Sequence, residues 1–304
     1  MTKRMLDCVA SDFAKFTKED FLSSIAGSEG RIITCECIGS VMPVLGDVTN
    51  AELVSSMGAD IILLNMFDVN HPVIHGLPKT GPKETIHKLK QLTGRMIGIN
   101  LEPVEEGFAA IHDNTPWAMS EGRKATLANA KAAYDMGINM ILLTGNPGNG
   151  ISNKAISNSL KTIGSQMKDK LILAAGKMHA AGVLTEGGEK IITKEDVESG
   201  ADIILLPAPG TVPGITMEYV RELVTYAHSL GVLTMTSIGT SQEGADTATI
   251  KQIALMCKMT GTDIHHIGDA GYPGVAIPEN IMAYSIAIRG VRHTYHRMAA
   301  SINR

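Results

Sequence analysis

Four short phrases constrain this chain more than anything else in it. GADIILLN at 58–65, GINMILLT at 137–144, GADIILLP at 200–207 and GTDIHHIG at 261–268 each open on glycine, carry a polar residue and run into apolar side chains. Apolar runs this short suit strands buried on both faces of a parallel sheet. They fall far below the ~20 residues needed to span a bilayer. The glycine fits the C-terminal end of a helix, and a helical pattern precedes each phrase. Each phrase therefore marks a junction where a helix ends and a strand begins.

The same grammar continues along the chain. Strands are predicted at 31–37, 60–65, 95–101, 139–144, 170–175, 202–207, 232–237 and 263–268, with helical patterns between them. TNAELVSSMG follows the first strand, SEGRKATLANAKAAYDMG the third and TMEYVRELVTYAHSLG the sixth. Thr49, Ser120 and Thr216 stand where N-caps belong, and Glu52 completes a capping-box spacing with Thr49. Eight alternations predict a (β/α)8 TIM barrel over residues 1–304, read as one domain, with residues 1–30 as an N-terminal helical cap. The rival is an open doubly wound sheet. It lacks support, because no G-x-G-x-x-G turn follows the first strand. A length of 304 residues suits a barrel, and 44% hydrophobic residues with only 4% aromatics imply a core of aliphatic side chains and Met.

Charge and cysteine content exclude several classes. The net charge is −4 and no basic block occurs, so nucleic acid is not an expected partner. The N-terminus lacks the apolar core of a signal peptide. With no spanning segment, no membrane partner is expected and the chain reads as cytoplasmic. Cys8, Cys35, Cys37 and Cys257 show no disulfide-framework spacing and read as buried thiols.

In a barrel, chemistry sits at the C-terminal ends of the strands. Alternation then assigns faces. Glu36 shares the inner face with Thr34, and Asn100 and Glu102 share theirs with Gly98. Buried carboxylates are costly without partners, so Glu36 and Glu102 are candidates for proton transfer, with neutralisation by a structural Lys or Arg as the competing reading. Lys177, after KLILAA, is a candidate to polarise or condense with a carbonyl. Only one of His265 and His266 can point inward, and the inward one with Asp269 is a candidate acid–base pair; His265 is taken as the catalytic histidine. Asn65, Asn100, Thr144 and Ser237 stand at strand ends as candidate substrate contacts. Asn146, His179, His71, His75 and His112 lie in upper loops. Loops 7 and 8 are rich in glycine, and Gly239, Thr240, Ser241, Gly268, Asp269, Ala270 and Gly271 are expected to cradle a phosphate or other oxyanion. A divalent metal, the one cofactor considered, would fall to Glu102 and Asp68.

The whole chain resembles phosphate-binding (β/α)8 barrel enzymes. VMPVLGDVTNAEL, ADIILLNMFDVNHPVI and GDAGYPGV resemble an uncharacterised bacterial barrel family, sometimes labelled haloacid dehalogenase-like. That label requires a nucleophilic D-x-D after the first strand. The corresponding loop here reads SVMPVLGDVTN, so the label is rejected. A more distant resemblance, to the phosphoenolpyruvate mutase and isocitrate lyase group, implies magnesium at acidic strand ends; the lyases' K-x-x-C-G-H motif is absent.

These readings converge on a lyase, aldolase or isomerase acting on a small phosphorylated or carboxylated, carbohydrate-like anion. The alternatives are a metal-assisted mutase-like enzyme and a non-catalytic barrel that binds a phosphorylated ligand. The apolar residues of the last helix add the expectation of a homo-oligomer.

Overall fold

The repeated phrases place eight parallel strands in one closed barrel, in sequence order. The strands are β1 (Ile32–Ile38), β2 (Ile61–Asn65), β3 (Met96–Leu101), β4 (Met140–Leu143), β5 (Ile172–Gly176), β6 (Ile203–Pro207), β7 (Leu233–Ile238) and β8 (Ile264–Ile267). They belong to a computed structural model in which residues 2–104, 119–145, 151–178 and 198–304 are described. The surrounding helices include α1 (Ala10–Phe13), α2 (Lys18–Ala26), α3 (Asn50–Ser56), α4 (Thr85–Thr93), α5 (Leu127–Asp135), α6 (Asn153–Met167), α7 (Met217–Ser229), α8 (Thr247–Thr260) and α9 (Pro278–Ala299). Among the described residues no helix is long and apolar enough to cross a membrane.

The fourfold phrase has a structural cause. Its glycines take positive φ, 107° at Gly58, 92° at Gly137, 106° at Gly200 and 88° at Gly261, a conformation in which a side chain is strained. The polar residue two positions on clamps the preceding strand. Asp60, Asn139, Asp202 and Asp263 accept the amides of Ile33, Ile97, Leu173 and Thr234 through a side-chain oxygen, at 2.8, 3.3, 2.8 and 2.8 Å. Their own amides donate back to the carbonyls of the same four residues at 2.9, 2.9, 2.8 and 3.2 Å. A side chain thus supplies the first rung of the ladder at the lower rim, and the barrel consists of four such clamped strand pairs.

The N-terminal segment forms two helices rather than one, because Thr17 caps a fresh start with its hydroxyl accepting from Asp20. Thr49 and Thr216 cap as expected. Ser120 does not cap a helix; Thr126 takes that role for α5, after a short 3-10 turn. The last helix breaks at Gly290, where φ is 75°. Its Tyr284 and Ile288 enter the core under the helix layer, so those apolar residues are used within the chain.

Beneath the barrel sits a buried ion cluster. Asp60 accepts from Arg289 Nη1 at 2.5 Å and from Arg297 Nε at 2.6 Å. Arg297 also donates to the carbonyls of Cys8 and Met5, and Arg95 donates to the carbonyls of Ala59 and Arg297. Lys18 of the cap reaches Asp202 at 2.7 Å. Removing one member of a buried pair costs about 3–5 kcal/mol, because the remaining charge stays uncompensated. Asp60→Asn keeps the clamp that Asn139 shows an amide can make, yet strands two guanidinium groups. It is expected to lose about 3–5 kcal/mol in urea unfolding, against about 1 kcal/mol for Asp263→Asn. Equal losses would show that the clamp, not the charge, dominates.

Candidate active site

Alternation along the strands sorts side chains into two apolar sets. Ile32, Ile61, Leu63, Met96, Met140, Leu142, Ile203, Leu205, Met235 and Ile264 fill the barrel interior. Ile33, Cys35, Ile97, Ile99, Leu101 and Ile267 pack under the helices. The inner face therefore ends upward in Glu36, Asn65, Asn100, Glu102, Thr144, Ser237 and His266, all buried.

Hydrogen bonds join three of these with Asp269 into one network, and Ser237 with His266 into a separate pair. Asn100 Nδ2 donates to Glu36 Oε1 at 2.6 Å and to Asn65 Oδ1 at 3.1 Å, and Asn65 Nδ2 donates to Asp269 Oδ2 at 2.9 Å. Ser237 Oγ and His266 Nδ1 are 2.6 Å apart, and Ser237 also approaches the Met178 sulfur at 3.6 Å. The other imidazole nitrogen, His266 Nε2, lies 3.8 Å from Glu36 Oε2 and has no hydrogen-bond partner.

Burial governs the protonation of this group. It pushes Glu36 well above the usual carboxylate range; the nearby Asp269 and Glu243 add to this, and Asn100 opposes it. Burial also raises Asp269, against the Asn65 amide, and raises Glu243. The His266 imidazole falls to about 3 for the same reason, and is neutral at pH 7. The result is a protonatable carboxyl facing a neutral imidazole, in a place from which water is largely excluded.

Several expected residues behave differently. His265 is not the inward histidine. It shares parity with the outer Ile267 rather than the inner Ile264, its Nε2 lies 3.0 Å from the Gly30 carbonyl oxygen, and its ring meets Tyr284 edge-on at 6.0 Å. Burial lowers it to about 4. Glu102 makes a buried ion pair with Arg123, so its charge is neutralised by a structural arginine. Asp68 is taken up by the amides of Asn70 and His71 at 2.7 and 3.0 Å. Among the described residues no group of three or more His, Cys, Asp and Glu side chains is placed to hold a metal.

In loops 7 and 8 one amide of the expected anion cradle, that of Ala270, is taken by the protein's own carboxylate. Glu243 turns inward, and its Oε1 accepts the Ala270 amide at 3.0 Å. A Cβ at Gly268 would stand 2.8 Å from that oxygen, and one at Gly271 3.0 Å from the Glu243 backbone carbonyl. The Gly268 amide donates to Ile238. Gly239 leaves room for the Met178 sulfur, and the Thr240 hydroxyl donates to the Thr211 carbonyl at 2.8 Å. Lys177 is buried directly after Gly176, whose φ is 146°. His71 and His75 are exposed, and His112, Asn146 and His179 lie outside the described residues.

Two members escaped the sequence reading. His266 was readable by extending alternation from Ile264. Glu243 carried no periodic signal, since a loop acid in SQEGAD looks solvated.

The raised Glu36 has a thermodynamic sign. A carboxyl whose folded pKa exceeds its unfolded value, about 4.3, destabilises the fold progressively as pH rises above that value. Glu36→Gln removes this cost. It is expected to stabilise the protein by about 0.5–2 kcal/mol at pH 7–8 and to have little effect at pH 4, as read by thermal unfolding at both values. Destabilisation at pH 8 would contradict the assignment.

Known proteins add the family and little else. No curated protein matches the chain. Among solved structures, thiamine phosphate pyrophosphorylase from Pyrococcus furiosus is similar at 12% identity with a TM-score of 0.44, covering 86% of this chain and 96% of that one. The family model described as "Domain of unknown function (DUF7916)" matches residues 6–304, and the chain belongs to that family.

Proposed function

We propose that the chain is a barrel enzyme of the isomerase or lyase class, moving a proton on a small, oxygen-rich, carbohydrate-like substrate at the upper mouth. The observation that carries this reading is the unpartnered His266 Nε2, 3.8 Å from the buried Glu36 carboxyl. A general acid–base group works best when its pKa lies near the working pH. Burial moves Glu36 upward in that direction. Asn100 and Asn65 hold the carboxyl in place, and Ser237 fixes the imidazole ring. Lys177, at the end of β5, is the group proposed to polarise a substrate carbonyl.

The metal-assisted alternative is weaker, since Arg123 and backbone amides already engage Glu102 and Asp68. A non-catalytic barrel is favoured only by the Glu102–Arg123 pair. Among the described residues Glu36 has no such cation beside it.

The test is solvent hydrogen exchange. The protein is incubated in D2O with aldoses, ketoses, hydroxy acids and their phosphates, and deuterium incorporation is read by mass spectrometry. Wild type is expected to label at least one of them. Glu36→Gln and His266→Gln are expected to lower that rate by about 10²–10⁴-fold. Unchanged exchange in Glu36→Gln would falsify the assignment.

A further inference from the structure

We infer that the mouth of the barrel recognises an amino group, held as an ammonium between Glu36, Asp269 and Glu243. This deepens the proton-transfer reading by naming the substrate class, and rests on it for turnover alone.

The three carboxyls are neighbours at the mouth, linked through Asn100, Asn65 and the Ala270 amide. Glu36 bonds to Asn100, Asp269 to Asn65 and Glu243 to the Ala270 amide. Among the described residues no lysine or arginine pairs with any of them. Each group is acidic, and two of them raise the cost of ionising a neighbour: Asp269 and Glu243 act on Glu36, and Asp269 on Glu243. Such a cluster is stabilised most by a cation entering it.

A second observation is independent of the acids. Asn100 Oδ1 and His266 Nε2 are buried, belong to the inner face and have no hydrogen-bond partner, as does Glu243 Oε2. Asn100 Oδ1 and the Glu243 oxygen can act only as acceptors when the acid is ionised. His266 joins them when Nδ1 carries the proton, which its 2.6 Å contact with Ser237 Oγ accommodates. Buried acceptors left open are costly, so the missing partner is a donor. An ammonium offers three N–H donors and a positive charge. A phosphate offers acceptors and repulsion. A bare metal ion fits less well, because no metal-sized ligand group forms among the described residues.

The experiment compares matched probes that differ in one group: glucosamine against glucose, galactosamine against galactose, and glucose 6-phosphate and Mg²⁺ as controls, by isothermal titration calorimetry at pH 7. The amino sugars are expected to bind at least about 10-fold more tightly than their hydroxyl twins, a difference of about 1.4 kcal/mol. The preference is expected to vanish in Glu243→Gln and in Asp269→Asn, the latter a more exposed position where an amide still accepts from Asn65. Binding should also release protons to solvent, as the carboxyls ionise around the cation. Equal affinity for the hydroxyl twins, tighter binding of the phosphate, Mg²⁺ binding that depends on Glu243, or no amine binding at all would each overturn the inference. Deuterium exchange on a neutral sugar without amine preference would sink this inference and leave proton transfer standing. Amine binding without exchange in any probe would do the reverse.

Discussion

A single buried carboxylate holds the lower end of the molecule together. Asp60 is fully buried and accepts from Arg289, Arg297 and the Ile33 amide at once. An isolated carboxylate there would be prohibitively expensive. The two guanidinium groups offset that cost, and each is itself anchored: Arg297 by carbonyls of the N-terminal cap and by the Phe13 ring at 5.3 Å, Arg289 by Ser285 and the Gly58 carbonyl. The last helix, the cap and the first strand pair therefore meet on one group. A barrel must join its first and last units, and this cluster stands beside that seam, where β1 pairs with β8.

The two ends of the barrel treat buried polarity in opposite ways. Below, the Asp60 oxygens accept from Arg289, Arg297 and a backbone amide, and Asp202 and Asp263 are likewise filled by Lys18, by His228 and by backbone amides. Above, Asn100 Oδ1, Thr144 Oγ1, Glu243 Oε2 and His266 Nε2 are left open. An apolar plug of Leu63, Met96, Met140, Leu142, Leu205 and Met235 separates them. Satisfied groups stabilise; open ones cost stability and persist where a ligand completes them. The open groups at the upper end are the ones on which the proposed function rests.

Sequence patterns reached some of this and missed the rest for definable reasons. Strand positions were legible because doubly buried strands must be continuously apolar and their helix junctions need glycine. Glu36 and Asn100 were assignable to the interior by alternation alone, since Ile33, Cys35, Ile97 and Ile99 leave one face to them. HisHis at 265–266 defeated the same argument: Ile264 and Ile267 flank the pair with opposite parity, so the apolar residues point both ways. Glu243 and the Arg289–Arg297–Asp60 cluster were invisible because they join residues far apart in the chain, and loop composition does not say which acid turns inward. Glu102 was placed on the correct face, but its partner Arg123 lies in a short 3-10 turn where the sequence pattern reads as the start of a long helix.

The glycine-rich loops show why composition alone misleads about ligands. Glycines at 268 and 271 fit the close backbone approach that an oxyanion requires, but here the neighbour is Glu243, whose side chain and backbone crowd both positions. One anion that these loops hold is internal and covalently attached. Its carboxylate takes an amide that a phosphate would use and adds its own charge to those of Asp269 and Glu36. On the proposed reading the sign of the pocket is thereby reversed, and a loop motif that predicts affinity for negative ligands yields a mouth suited to positive or donor-rich ones. The quantity that decides between them is the position of one side chain that the motif leaves unspecified.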